Sequence, residues 1–135
     1  MGDPMKLLFL GDIVGRAGRT AVIENLPTLR QDLKRDFVVV NAENSASGFG
    51  MTAKIAKDLF EAGADVITLG DHAFDQKDML QFIETEPRIL RPLIFAKEAP
   101  GRGSRVFTDG RGRKILVAQI LGQVFMKRPF EDPFS

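Results

Sequence analysis

The sequence predicts an α/β layered domain built on a parallel sheet. Two observations predict it. Short apolar runs alternate with amphipathic stretches through the first half of the chain, and each early run is closed by a small polar cluster. A strand buried on both faces reads as an unbroken apolar run, and parallel strands need crossovers that helices supply.

Lys6 to Leu10 is the first apolar run, closed by Gly11-Asp12. It reads as a buried strand feeding a loop punctuated by Gly15 and Gly18. Arg19 to Asp32 then has helical spacing, with Val22, Leu26, Leu29 and Leu33 on one face. Pro27 lies inside this stretch, where it either kinks the helix or begins a second one. Phe37 to Val40 is the next strand, ending in Asn41-Ala42-Glu43-Asn44. Ser45 to Gly50 is small and glycine-rich, hence a loop.

Thr52 suits an N-cap for a helix through Ala62, with Ile55, Ala56, Leu59 and Phe60 on one face and Gly63 at the C-terminal cap. Val66 to Leu69 is a third strand, closed by Gly70-Asp71-His72. Asp75 or Gln76 opens a helix that ends near Glu86, before Pro87. Pro92 reduces Ile89 to Phe95 to an edge strand at best. Ala99 to Ser104 is a Pro/Gly loop. Val106 to Thr108 and Lys114 to Leu121 flank Asp109-Gly110-Arg111-Gly112, which reads as a late β-hairpin. Residues 122–135 show no periodicity, and no domain boundary is visible.

Composition narrows the classes. An apolar fraction of 44% and a charged fraction of 27% are those of a globular domain with a core. The net charge of +1 gives no reason to expect nucleic-acid binding from charge alone. Arg102, Arg105, Arg111, Arg113 and Lys114 gather late, but no aromatic residues interleave for base stacking, so they read as a solvated rim. The chain has no cysteine, which excludes disulfides and thiolate metal sites and fits a cytoplasmic setting. No segment is long and apolar enough to span a bilayer, so no membrane partner is expected. Met1 to Pro4 reads as a remnant preceding a second methionine, Met5.

The chemistry gathers after the strands. Asp12 follows the first, Glu43-Asn44 the second and Asp71-His72 the third. Ligands of open parallel sheets bind outside the carboxyl ends of the strands. Carboxylate, amide and imidazole groups there suit divalent Mn, Fe or Zn. Each residue also has a plainer reading. Asp12 could cap the next segment, Asn44 could form an Asx-turn, Asp71 could cap a helix, and His72 could be a satisfied, partly buried histidine. Recurrence at three strand ends favours a shared site, since capping and turns do not require it. Gly11 to Gly18 lacks both the dinucleotide-binding glycine spacing and a phosphate-loop Lys-Ser/Thr, which argues against a flavodoxin-like nucleotide domain.

Lys6-Leu7-Leu8-Phe9-Leu10-Gly11-Asp12-Ile13-Val14-Gly15 resembles the opening of the YmdB-type bacterial metallophosphoesterases, within the calcineurin-like superfamily. Asn41-Ala42-Glu43-Asn44, Gly48-Phe49-Gly50, Thr68-Leu69-Gly70-Asp71-His72, Val124-Phe125-Met126 and Asp132-Pro133-Phe134 are similar to that family too. The resemblance implies hydrolysis of a phosphodiester, in a small molecule such as a cyclic nucleotide or in RNA, with two divalent metal ions. It implies that Asp12 binds the first metal, Glu43 bridges or binds the pair, and Asn44 binds the second. Asp71 holds a metal-ligand position, and His72 assists the leaving group or the phosphoryl oxygens.

Two departures stand out. The family pattern has Asn where this chain has Asp71, and the family uses further histidines, whereas His72 is the single histidine here. The family fold is a two-sheet sandwich flanked by helices, of which this chain resembles the N-terminal half. The expectations are a fragment with an incomplete, weakly metal-binding and inactive site. Its exposed sheet edge and apolar face would favour a homo-oligomer or domain-swapped dimer. The rival expectation is a non-catalytic oligomerising or binding module derived from the same fold.

Overall fold

A computed structural model describes residues 4–32, 35–46, 50–93 and 98–120. The elements run β1 (Leu7–Leu10), α1 (Gly15–Asp32), β2 (Phe37–Asn41), α2 (Ala53–Ala62), β3 (Val66–Thr68), α3 (Lys77–Thr85) and β4 (Ile89–Leu90). The hairpin β5 (Ser104–Thr108) and β6 (Lys114–Ala118) follows.

The first four strands form one parallel sheet in the order β1-β2-β3-β4. Leu10 pairs with Val40, Asn41 with Thr68, and Thr68 with Leu90. This register sets the carboxyl ends of β1, β2 and β3 side by side. Each step moves to the next position in the same direction. Right-handed crossovers therefore put all three helices on one face.

Side chains alternate across the sheet. Val38, Val40, Ile67 and Ile89 pack with Leu26 of α1, Ala56 and Leu59 of α2, and Met79 and Ile83 of α3. Phe37, Val66 and Leu90 point the other way, against Phe107, Ile115 and Val117 of the hairpin. The Phe37 and Phe107 rings lie 6.1 Å apart, tilted at 48°. Leu8 and Leu10 join the helix-side core, so Leu7 and Phe9 face the hairpin side. They stay 55% and 65% exposed there, beyond the hairpin's cover.

The middle of the chain matches its sequence reading. Thr52 Oγ1 accepts the Ile55 N–H at 3.2 Å as the N-cap of α2. Gly63 at φ 125° ends the helix; its N–H reaches Phe60 O and the Ala64 N–H reaches Leu59 O, a Schellman closure. Ile89–Leu90 lies at the end of the parallel order, as an edge strand should, and the hairpin pairs antiparallel from Ser104↔Ala118 to Thr108↔Lys114.

Two expectations need correction. Gly15 and Gly18 are not loop residues, because α1 begins at Gly15. The Gly18 N–H already bonds Val14 O, and a Cβ on Gly18 would sit 3.1 Å from Ile13 Cγ2, so this glycine serves close packing. Pro27 does not begin a second helix; α1 runs through it, and Leu29, placed on the buried face by spacing, is 36% exposed. Of the two residues offered to open α3, Gln76 is its N-cap. Leu33, Gly48-Phe49, Phe95, residues 122–135 and Met1 to Asp3 lie outside the described residues.

Polar ties fix the layers. Arg30 at the end of α1 donates to Gly63 O at 2.7 Å and to Asp65 Oδ2 at 2.6 Å, and Asp65 also accepts the Val38 N–H. Asp109 accepts the backbone N–H groups of Arg111 and Arg113 and the Arg113 side chain, which closes the hairpin turn. Arg113 further reaches Asp36, whose carboxylate accepts the Lys6 N–H at the foot of β1. Arg113 is therefore a tie within the fold, and Arg102, Arg105 and Arg111 of the same basic cluster are more exposed. No helix among the described residues is long and apolar enough to cross a membrane.

Candidate active site at the strand ends

Backbone pairing carries on past the strands and brings their polar sequels together. The Ile13 N–H bonds Asn41 O, the Ala42 N–H bonds Thr68 O, and the Gly15 N–H bonds Asn44 O. Val14 and Asn44 form a further parallel bridge. Asp12 and Asn44 are thereby set face to face, and Asn44 Nδ2 donates to Asp12 Oδ2 at 2.8 Å. The Asn44 amide is thus engaged across the strand ends, which is the shared-site reading of this residue.

Glu43 lies between the first and third strand ends. Its carboxylate lies against Gly70, in the space a Cβ would take, so a side chain at position 70 would displace the Glu43 carboxylate. Burial pushes the Glu43 carboxyl above its usual range, and the negative charge of Asp12 pushes it further. The Asp71 backbone N–H and the His72 ring pull the other way, while the Asp71 charge adds to the upward push. The charges of Asp12 and Asp71 thus both bear on the Glu43 carboxyl.

Asp71 and His72 lie in the turn after β3, well before α3 begins at Lys77, so neither caps a helix. His72 Nδ1 lies 2.7 Å from Asp75 Oδ2, with the two side chains 40% and 21% exposed. The Asp75 N–H also bonds His72 O, closing the turn. Across from it, Gly50 at φ +80° approaches so closely that a Cβ would lie 2.5 Å from His72 O. Gly50 is itself held: its carbonyl accepts the Ala46 N–H, and Arg19 of α1 grips the Ser45 carbonyl at 2.6 Å.

All five sequence-chosen residues, Asp12, Glu43, Asn44, Asp71 and His72, therefore stand at one edge of the sheet. The sequence reading missed Asp75, whose signal was the i,i+3 spacing from His72, and Arg19, which had none. The donor chemistry fits a divalent cation, because positive charge would relieve the repulsion that Asp12 and Asp71 exert on the Glu43 carboxyl. As they stand, the groups pair with one another, and no three His, Asp or Glu side chains among the described residues converge as a ligand shell.

Comparison with known proteins bears on the fold and the family. The chain is 39% identical over 130 residues to a 2',3'-cyclic-nucleotide 2'-phosphodiesterase of Bacillus subtilis (strain 168), covering 96% of this chain and 48% of that protein. The crystal structure of a hypothetical protein from Thermus thermophilus superposes with a TM-score of 0.88 at 38% identity, over 96% of this chain and 50% of that one. A novel phosphatase from Mycoplasma pneumoniae superposes with a TM-score of 0.86 at 35% identity, over 99% and 49% respectively. The chain thus spans about half the length of the relatives it matches. The profile described as YmdB-like protein matches residues 8–135, and the chain belongs to that family.

Proposed function

We propose that these residues are part of the active site of a metal-dependent phosphodiesterase. The observation that carries this reading is the convergence of Asp12, Glu43, Asn44, Asp71 and His72 at three adjoining strand ends, with Asp12 and Asn44 in direct contact. The name of the Bacillus subtilis relative supports a cyclic nucleotide or another phosphodiester as substrate class, with RNA in the same chemical class. In this reading Asp12, Glu43, Asn44 and Asp71 hold divalent cations of the Mn, Fe or Zn class. Two such cations, when bound, activate water and polarise the phosphoryl oxygens. Glu43 and Asp71 neutralise cation charge, Asn44 orients the Asp12 carboxylate, and His72 exchanges a proton at the leaving oxygen.

The resemblance to the family implies more histidines than this chain's one, so ligands from outside these residues complete the proposed site. The isolated chain is then expected to bind Mn²⁺ weakly and to turn over diester poorly, in a cytoplasmic setting. Calorimetric titration with Mn²⁺ and hydrolysis of a 2',3'-cyclic nucleotide test this. Glu43→Gln should abolish whatever metal-dependent turnover is present. Absence of both Mn²⁺ binding and turnover, in this chain and in a form of the length of its relatives, would overturn the reading.

A second reading is a non-catalytic module that self-associates. The observation favouring it is the pair Leu7 and Phe9, exposed on the hairpin side of the sheet.

A further inference from the structure

We propose that the cavity beside β4 is a second ligand site, built to hold a hydroxylated phosphomonoester between Arg102, Arg105 and Glu84. The site does not rest on the phosphodiesterase reading, and it shares no lining residue with the candidate active site.

The cavity has a volume of about 430 Å³. Ile83 and Glu84 of α3, Glu86 just beyond it, Ile89 of β4, and Arg102 and Arg105 line it. Four charged side chains therefore face one space, and their partners decide what it can take. Glu86 is committed within the fold. Arg88 donates to both of its carboxylate oxygens, at 2.8 and 3.0 Å, and the Arg88 N–H adds a third bond. Glu84 Oε1 accepts the Gly101 N–H at 3.3 Å, and Oε2 has no partner among the described residues. Arg102 and Arg105 are exposed, and neither guanidinium makes a hydrogen bond or ion pair among the described residues. The groups left open are thus two cations and one carboxylate oxygen.

Exposed arginines are commonly a solvated rim. Here the wall that carries them is fixed. Arg91, 6% exposed, donates to Pro100 O at 3.1 Å and to Pro92 O at 2.9 Å. Its own N–H bonds Arg102 O at 2.9 Å. Gly101, at φ +79°, packs so closely on α3 that a Cβ would lie 2.7 Å from the buried Ile83. A Cβ on Gly103 would lie 2.6 Å from Leu93 Cα. Arg105 lies over the Phe107 ring, 5.8 Å from its centroid, and Phe107 is packed on Phe37. Burying a guanidinium to hold a loop costs desolvation that an ordinary surface turn does not require. The arginines are therefore presented from a preformed wall.

Guanidinium forks match oxyanions, and two of them offer more donors than one carboxylate can accept. A phosphomonoester carries about two negative charges at neutral pH, which answers both arginines. A carboxylate accepts and cannot donate, so Glu84 requires a donor on the ligand. A hydroxyl supplies that donor without adding charge. Ile83 and Ile89 leave room for the carbons between the two ends.

Ribose 5-phosphate has both features and is the probe. The whole ¹⁵N-labelled chain is titrated with it at neutral pH in the presence of a metal chelator. The backbone amides of Glu84, Gly101, Arg102 and Arg105 should shift saturably, and those of Asp12, Asn44 and His72 should stay in place. Arg102→Ala and Arg105→Ala should each weaken binding about 10- to 100-fold, the scale of a charge-assisted hydrogen bond. Both side chains are exposed, so the same spectra show that the variants keep the fold. Glu84→Gln should narrow the preference for ribose 5-phosphate over inorganic phosphate.

The absence of saturable shifts overturns the proposal. So do shifts confined to Asp12, Asn44 and His72, or an affinity unchanged in both arginine variants. Glycine, whose ammonium and carboxylate could also span Glu84 and an arginine, is the competing probe. Tighter binding of glycine than of ribose 5-phosphate overturns the phosphomonoester class. Inorganic phosphate bound as tightly as ribose 5-phosphate overturns the part given to Glu84.

Discussion

Gly50 shows how much a single backbone position carries. Its φ of +80° is in the region that side chains rarely adopt, and the atom a Cβ would meet is the His72 carbonyl, 2.5 Å away. A carbonyl in a closed turn cannot swing aside as a side-chain tip can. Gly50→Ala should therefore cost about 1–3 kcal/mol in urea unfolding, and should shift the His72 ring signals. Gly110→Ala serves as its control, because nothing lies within 4 Å of that Cβ position.

Asp109 makes a prediction with a sign. Burial would push its carboxyl up, but the N–H groups of Arg113 and Arg111 and the Arg113 guanidinium outweigh that and hold it below its usual range. A carboxyl depressed in the folded state stabilises the fold above its unfolded value, about 3.9, and loses that contribution as pH falls through the lower folded value. Acid unfolding should steepen in that window, and Asp109→Asn should flatten it while weakening the hairpin at neutral pH. Equal acid profiles would show that the turn does not depend on this charge.

At this scale the site was legible where chemistry follows a strand directly. Asp12, Glu43 and His72 need only the strand's end to place them. Asp75 and Arg19 were not legible in that way, because their partners are set by how a turn and a loop close in space.

At the scale of the element, α2 and α1 differ in how much the sequence could say. Thr52 and Gly63 are local signals read out by local bonds, so α2 was bounded correctly at both ends. For α1 the sequence left Pro27 open between a kink and a new helix, because propensity rules treat proline as a break. Leu26, fully buried beside it, and the packing of Val22 and Ile23 on the sheet hold the helix together through the proline. Tertiary burial outweighed a local penalty, as it commonly does.

The penalty should be recoverable. Pro27 is exposed, so its replacement loses no packing. An interior proline disfavours a helix by about 3 kcal/mol relative to alanine, and the freer unfolded chain returns about 0.4–1 kcal/mol of that. Pro27→Ala should thus raise stability by about 2 kcal/mol in denaturant titration. A loss of stability would mean that the helix is bent to fit and that the proline sets the bend. Leu26→Ala, by contrast, should cost about 2–5 kcal/mol, since the site is closed on all sides.

At the scale of the whole molecule, the two sheet faces are unequal. Among the described residues, the helix face is covered from β1 to β4, whereas the hairpin packs around Phe37, Val66 and Leu90. The sequence could not reveal this, because a continuous apolar run such as Leu7 to Leu10 predicts burial on both faces equally. Which face stays open depends on where the hairpin folds back, and that is fixed by distant pairings such as the Leu93 N–H on Gln119 O. Leu7 and Phe9 are left beside the outer strand edge, and Val106 and Leu116, which face each other on the hairpin, are 55% and 69% exposed.

Exposed apolar groups gathered at an edge favour association, while scattered ones need no explanation. The two groups can be told apart. Phe9→Lys places a charge on the open sheet face and next to the edge of β1, where a second chain would pair. Leu116→Lys places the same charge on the hairpin's outer surface. In sedimentation velocity over a range of concentrations, the wild-type chain should associate, Phe9→Lys should shift toward monomer, and Leu116→Lys should behave as wild type. Thermal stability should change little in either variant, because both side chains are already mostly in water. Loss of association in Leu116→Lys alone would move the contact to the hairpin. A wild type that stays monomeric at every concentration would show that the open face does not drive self-association, and would remove the support for the module reading.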